Sequence, residues 1–394
     1  MDLTDVLGDE LHPRLRAAAD AGPTAVDETS GATYVLRHAD IELLARDRRL
    51  AGVGLALFDL AGVPDGPLRQ WFGALMFTTE GQTHDRLRKL VSRAFTPRAV
   101  EALRGHAAAL AGEALAPVRE DGGGDLAAAL GLVPMHVMCR LLGVPPADVA
   151  VFGCWADALS PVFGYLSGDE LEAAADAVVD LLTYVDDLTA RRRDEPGDDL
   201  VTALLAAEAD GGRLTHDEVL AMVANLLVGG HDTTASQLSC TALTLGRHPA
   251  ETERLRHAPD LVASAATETI RYEPSIPAVP RTVVEPVEVG GDELPAGTLV
   301  LLSTAAANRE PGVWDDPDRF AVDRFADPGA PRLLSFGSGA HYCLGAALAR
   351  LTVEESVRCL VALGPFELAR DPSTLPWRSV LGRAPERVPV HLCN

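Results

Sequence analysis

Phe336-Gly337-Ser338-Gly339-Ala340-His341-Tyr342-Cys343-Leu344-Gly345 is the stretch on which the reading of this chain turns. The glycines at 337 and 339 permit positive φ and a tight backbone around whatever the cysteine faces. Directly after Cys343 comes LGAALARLTVEESVRCLVAL, whose composition and apolar spacing predict a helix over residues 344–363. A helix N-terminus presents unpaired N–H groups and the positive end of a dipole, and both stabilise a thiolate. The local physics describes a cysteine held as an anion in a stiff loop, suited to act as a nucleophile or as a metal ligand.

Outward from that loop, most of the first two-thirds reads as helix, with clear patterns over residues 99–118, 171–193 and 216–245. Thr215 ahead of His216-Asp217-Glu218 has the form of an N-cap followed by acidic first-turn residues. Beyond Pro274 the texture changes. Residues 281–289 are rich in Val and Thr, Gly290-Gly291 supplies a turn, and Leu299-Val300-Leu301-Leu302 reads as another short strand. Residues 308–331 are irregular, and an irregular stretch of that length inside a domain is usually functional. Strands and helices do not alternate, so a doubly wound sheet is not expected. The expectation is one large, mainly α domain with small β-sheets, spanning 1–394, whose first ~30 residues are peripheral.

Composition removes several function classes. The formal charge of −23 makes the chain a poor general binder of nucleic acid or anionic membrane. Six cysteines without a CxxC pair fit neither a disulfide scaffold nor a zinc ribbon. The opening MDLTDVLGDELHPRLR has neither a basic nor an apolar region of a signal peptide. The longest uncharged stretches fall short of the ~20 residues a spanning helix needs. A cytoplasmic protein with no membrane and no nucleic-acid partner is expected.

Two further constellations carry chemistry. Residues 219–245 form an apolar helix pattern interrupted by Gly229-Gly230-His231-Asp232-Thr233-Thr234. A glycine pair inside a helix costs roughly 1–2 kcal/mol against alanine. Close approach of a ligand to the backbone would offset that cost, with Asp232 and Thr233 as a proton donor and hydroxyl relay beside the gap. Glu268 and Arg271 stand three apart on one helix face.

The cysteine loop resembles the haem-ligand loop of cytochrome P450 monooxygenases, F-x-x-G-x-x-x-C-x-G, with Phe336, Gly339, Cys343 and Gly345 at its fixed positions. Gly229, Gly230, Asp232 and Thr233 resemble the family's [AG]-G-x-[DE]-T, and Glu268 and Arg271 its ExxR pair. Val322-Asp323-Arg324-Phe325 resembles P-E-R-F with two replacements. The resemblance runs over about residues 35–393 and implies a bacterial, class I member with the triangular prism fold. It implies haem b (iron protoporphyrin IX), Cys343 as its axial thiolate in a loop opened by Phe336, and O2 bound next to Gly229 and Gly230. Thr233 would steady that oxygen and Asp232 would feed protons. Glu268, Arg271 and Arg324 would form a structural triad. His84, Arg88, Arg281 and His341 match positions that contact the haem carboxylates. Ahead of His84 the family's D-x-P-x-H is replaced by Thr78-Thr79-Glu80-Gly81-Gln82-Thr83-His84.

Substrate contacts are expected from Phe77, Asn225, Leu226, Val228, Gly229, Ile276, Val279 and Val380, with Phe152, Trp155, Phe163 and Tyr165 as further aromatic candidates. They are apolar apart from Asn225, which could orient a substrate oxygen. A lysine-poor composition rich in Ala, Arg, Gly and Asp suggests a GC-rich genome, where such enzymes often tailor natural products. Electrons would come from a separate ferredoxin and its reductase, with Arg86, Lys89 and Arg93 as a basic stripe for docking. The function expected is oxidation, chiefly hydroxylation, of an apolar small molecule by O2. The alternatives are a peroxide-dependent haem-thiolate enzyme and a non-catalytic haem-binding protein.

Overall fold

Helical periodicity becomes helix wherever it is long. The expected helices form as Gly168–Asp194, His216–Arg247 and Ala346–Ala362, while the pattern over 99–118 divides into Pro97–Glu101 and Arg104–Glu120. The computed structural model describes residues 6–92, 95–163, 168–209, 214–379 and 382–393. They fall into two units, one made of Gly52–His106 and Leu132–Thr233, the other of Met1–Ala51, Ala107–Gly131 and Thr234–Asn394. No helix among the described residues is long and apolar enough to cross a membrane.

The first unit is helical throughout its regular elements. Its part of the long helix begins with a capping box: the Glu218 N–H donates to Thr215 Oγ1 at 3.2 Å and the Thr215 N–H donates to Glu218 Oε2 at 2.9 Å. Glu218 also takes the Arg86 guanidinium, which holds its carboxyl below the usual carboxylate range.

The second unit carries the β-structure. Its main sheet runs Thr24–Val26, Thr33–Val35, Leu299–Leu302, Val279–Val283, Leu50–Ala51. Only the pairing of Thr33–Val35 with Leu299–Leu302 is parallel. Val35, Leu50, Val283, Val300, Leu302 and Leu334 share one buried apolar cluster, so the sheet's core reaches the start of the cysteine loop. Gly290 and Gly291, with φ of +61° and +96°, turn the chain between Val287–Val289 and Asp292–Leu294.

The irregular stretch is held by side chains. Arg271 and Glu268 are fully buried. The Arg271 Nε donates to Glu268 Oε2 at 2.6 Å and Nη2 to Oε1 at 2.7 Å, while its remaining donors reach the carbonyls of Asn308, Pro317 and Arg319. Arg324 donates to Glu268 Oε1 at 3.0 Å and to the carbonyls of Asp315, Asp316 and Arg319. Two guanidinium groups thus satisfy the backbone of a segment that has almost no regular structure of its own. Asp323, which replaces the expected glutamate, does not join this network but pairs with Arg254 on the helix Pro249–His257.

The helix Leu11–Ala21 buries Leu11, Leu15 and Ala18 with Leu36 and Ala305. Beside it, buried Arg383 donates to Glu273 and to the carbonyl of Leu7, and stacks 4.2 Å from the Trp377 ring centroid. His12 Nε2 lies 3.1 Å from Glu273 Oε1. Burial, seconded by Arg309, lowers His12 from 6.5 to about 4 although Glu273 pulls the other way. Burial pushes Glu273 up, but Arg383 and His12 outweigh it and hold the carboxyl well below its ordinary value.

Replacing Arg271 by Met leaves Glu268 buried with one cation fewer, and the expected loss is about 3–5 kcal/mol, read by denaturant unfolding. The acid side of stability has a separate origin. Between pH 4 and 6.5 the unfolded chain binds a proton at His12 that the folded chain refuses, so stability falls as pH drops through that window. The loss is on the order of 3 kcal/mol. His12→Gln is expected to flatten that limb of a urea-midpoint profile, and an unchanged slope would assign it to other groups.

Candidate active site

In the second unit the cysteine loop begins at buried Leu334, whose carbonyl accepts the Gly337 N–H at 2.8 Å. Gly337 and Gly339 have φ of +71° and +70°. A Cβ on Gly339 would stand 2.1 Å from the Ala45 carbonyl oxygen, so only glycine fits there. Tyr342 N–H donates to Gly339 O at 3.2 Å and Cys343 N–H to Phe336 O at 2.9 Å, which closes the loop on itself. Cys343 is exposed, and the helix Ala346–Ala362 starts three residues later. Cys139 and Cys240, by contrast, are buried, and burial pushes each thiol up to about 12. None of the six cysteines is in a disulfide.

His341 ends the short 3-10 turn Gly339–His341. Arg281 sits in the strand Val279–Val283, where alternation places it on the face of Val279 and Val283. Those two valines pack in the cluster that holds Leu334, so the sheet and the loop share one core. An exposed thiol ahead of a helix, on a loop whose Gly345 has no atom within 4 Å of a Cβ, fits the thiolate ligand of haem iron. His341 and Arg281 supply the donor chemistry that a haem carboxylate requires.

Sequence reasoning assigned no role to Asn308, which is fully buried. Its Nδ2 donates to Ser335 Oγ at 2.7 Å, its Oδ1 accepts the Leu334 N–H at 3.0 Å, and its carbonyl takes Arg271. It therefore links the arginine network to the first residues of the cysteine loop. A buried asparagine at the head of an irregular stretch was the available signal.

In the first unit the long helix runs unbroken through the glycine pair, and the two glycines differ. Val223, Ala224, Leu226, Leu227 and Val228 are buried, Asn225 is partly so, and Gly229 is exposed. A Cβ on Gly229 would meet nothing within 4 Å, whereas one on Gly230 would stand 2.3 Å from Met138 Cε on the helix Val133–Leu142. Gly230 thus admits the neighbouring helix, and Gly229 leaves backbone accessible. Thr233 Oγ1 donates to the Gly229 carbonyl at 2.9 Å, and Asp232 next to it is buried.

His84 is buried and Arg88 half-buried on the helix Gly81–Ser92. The unusual approach to this helix is fixed by Thr78, whose hydroxyl faces the carbonyls of Phe72, Gly73 and Leu75, and by Glu80, which accepts the Gly52 N–H at 2.7 Å. Of the basic stripe, Arg86 is committed to Glu218, Lys89 is exposed, and Arg93 lies outside the described residues. Phe77 packs edge-on to Phe72 and against Phe163. Phe152 and Trp155 pack on Tyr184, which is ordinary interior packing. Ile276 and Val279 are partly buried in the second unit, while Val380 and Tyr165 lie outside the described residues.

The sequence model of the family "Cytochrome P450" matches residues 153–378. The chain is 38% identical over 322 residues to cytochrome P450 107B1 of Saccharopolyspora erythraea, covering 81% of this chain and 77% of that protein. It is 34% identical over 375 residues to the 6-deoxyerythronolide B hydroxylase of the same organism, covering 94% and 89%. The crystal structure of CalO2 superposes with a TM-score of 0.92 at 29% identity, covering 100% of this chain and 98% of that one.

The three glycines separate in a stability measurement. Gly229→Ala is expected to gain up to about 1 kcal/mol of helix propensity, since its methyl meets nothing. Gly230→Ala gains less, because Met138 must move, and Gly339→Ala loses several degrees of melting temperature. Thermal unfolding of the three variants checks this order, and equal gains at 229 and 230 would contradict it.

Proposed function

We propose, from the premise that this chain belongs to the cytochrome P450 family and is a haem-dependent monooxygenase, that it oxidises an apolar secondary metabolite, chiefly by hydroxylation. Residues 1–394 serve this one activity. Two electrons come from a separate ferredoxin and its reductase, and the second oxygen atom of O2 leaves as water. A relative that hydroxylates 6-deoxyerythronolide B supports a natural-product substrate.

The observation that carries the reading is the exposed Cys343 on a loop closed by its own backbone bonds and followed directly by a helix. Bound through a cysteine thiolate, haem supplies the O2 activation, because the thiolate pushes electron density onto iron and favours O–O cleavage. His84, Arg88, Arg281 and His341 take the carboxylates, where charged and hydrogen-bonding partners hold a buried acid. Thr233 Oγ1, parked on the Gly229 carbonyl, is a hydroxyl that can turn to donate a proton, and the neighbouring Asp232 carboxyl can replenish it. The exposure of Gly229 supports its role as the place where a small molecule approaches the helix. Asn225, Leu226 and Val228 in one unit, with Phe77, and Ile276 and Val279 in the other, are the substrate contacts we infer, and their composition supports an apolar substrate.

The purified, haem-loaded protein titrated with macrolactones, peptides and other apolar natural products should show a low- to high-spin shift of the main haem band with one chemical class. With that substrate, Thr233→Ala should keep consuming electrons while product per electron drops by about tenfold or more, within the ~10²–10⁴-fold that positioned proton transfer contributes. Unchanged coupling would remove Thr233 from the proton path. Full turnover with peroxide and no dependence on ferredoxin would overturn the electron route.

A further inference from the structure

We infer that Arg350 is a positioning residue that fastens both ends of the cysteine loop to the helix behind it. This rests on the reading of Cys343 as the haem ligand. Arg350 lies in the second turn of the helix Ala346–Ala362. Its guanidinium carbon stands 4.5 Å from the centroid of the Phe336 ring, and its Nη1 donates to the Tyr342 hydroxyl at 3.3 Å. Phe336 opens the loop and Tyr342 immediately precedes Cys343, so one side chain grips both sides of the bond that closes it, Cys343 N–H to Phe336 O at 2.9 Å.

The loop needs such a grip. Gly337 and Gly339 set the turns of the loop but carry no side chain that could anchor it, so the side chains at its two ends must fix its position. A planar guanidinium can stack on an aromatic face and donate in its own plane at once, which a lysine ammonium cannot do with the same geometry. Because Arg350 is carried on a 17-residue helix, the two contacts refer the loop to a rigid element. The sulfur is thereby kept at one height and direction, and the loop amides stay closed.

The test compares the wild type with Arg350→Gln, Arg350→Lys and Tyr342→Phe in two measurements. In the haem-free chain, hydrogen exchange of the peptide containing Cys343 should quicken at least about threefold in Arg350→Gln, with strand Leu299–Leu302 unchanged as an internal reference. Arg350→Lys and Tyr342→Phe should fall between, since each keeps one of the two contacts. In the haem-loaded, reduced protein under carbon monoxide, Arg350→Gln should convert faster on mild warming from the long-wavelength band of thiolate ligation to the shorter-wavelength band of its loss. Wild-type exchange and wild-type conversion in Arg350→Gln would overturn the inference. If that variant fails to fold, the two milder variants decide it by the same measurements, and wild-type values in both overturn it. Cys343→Ser separates the two readings: a thiolate band that survives this change sinks the haem-ligand assignment, whatever Arg350 does.

Discussion

A guanidinium has five N–H donors, and each one buried without an acceptor costs about 1–3 kcal/mol. Arg271 meets that demand with the two Glu268 oxygens and three backbone carbonyls, and those carbonyls belong to the stretch that lacks a ladder of its own. The demand works both ways. The arginine must have the carbonyls, and the carbonyls must have the arginine, so the path from Asn308 to Arg319 is set by the position of one helix, Val262–Tyr272. Asn308 then passes the constraint to Leu334 and Ser335, where the cysteine loop begins. A stretch without a ladder is thus held at named carbonyls by side chains, and between them by a few turns of its own.

The glycines divide the same kind of labour. Gly339 exists because a carbonyl occupies the space of its side chain, Gly230 because a methionine does, and Gly229 because nothing does. Only the third is unexplained by packing, and it is the one whose carbonyl holds the Thr233 hydroxyl. A helix that is buried over most of its length exposes Gly229 close to its acid and its alcohol.

How much of this was legible in the sequence depends on the reach of each interaction. The cysteine loop, the glycine-pair helix with its N-cap at Thr215, and the Glu268–Arg271 pair are local patterns, and the expected elements formed within a few residues of their reading. Arg324 was found through a pattern of four residues, although the neighbouring Asp323 turned out to serve Arg254. The pairing of Arg86, from the basic stripe, with Glu218 was not legible, because the two lie 132 residues apart. Asn308 and Arg383 escaped notice for the same reason. Each is a single polar residue whose partners are distant in the chain or are backbone atoms, and neither leaves a periodic trace.

The reach of Arg383 has a consequence for how the chain comes into being. It binds the carbonyl of Leu7 across 376 residues. Every segment of the helical unit has been synthesised once residue 233 is made, whereas the sheet-bearing unit waits for the stretch that begins at Thr234. The helix Leu11–Ala21 is made long before its partner Ala305. Until then Leu11, Leu15 and Ala18 have only nearby residues such as Leu36 to cover them, which leaves this helix open to chaperones and to aggregation before folding closes.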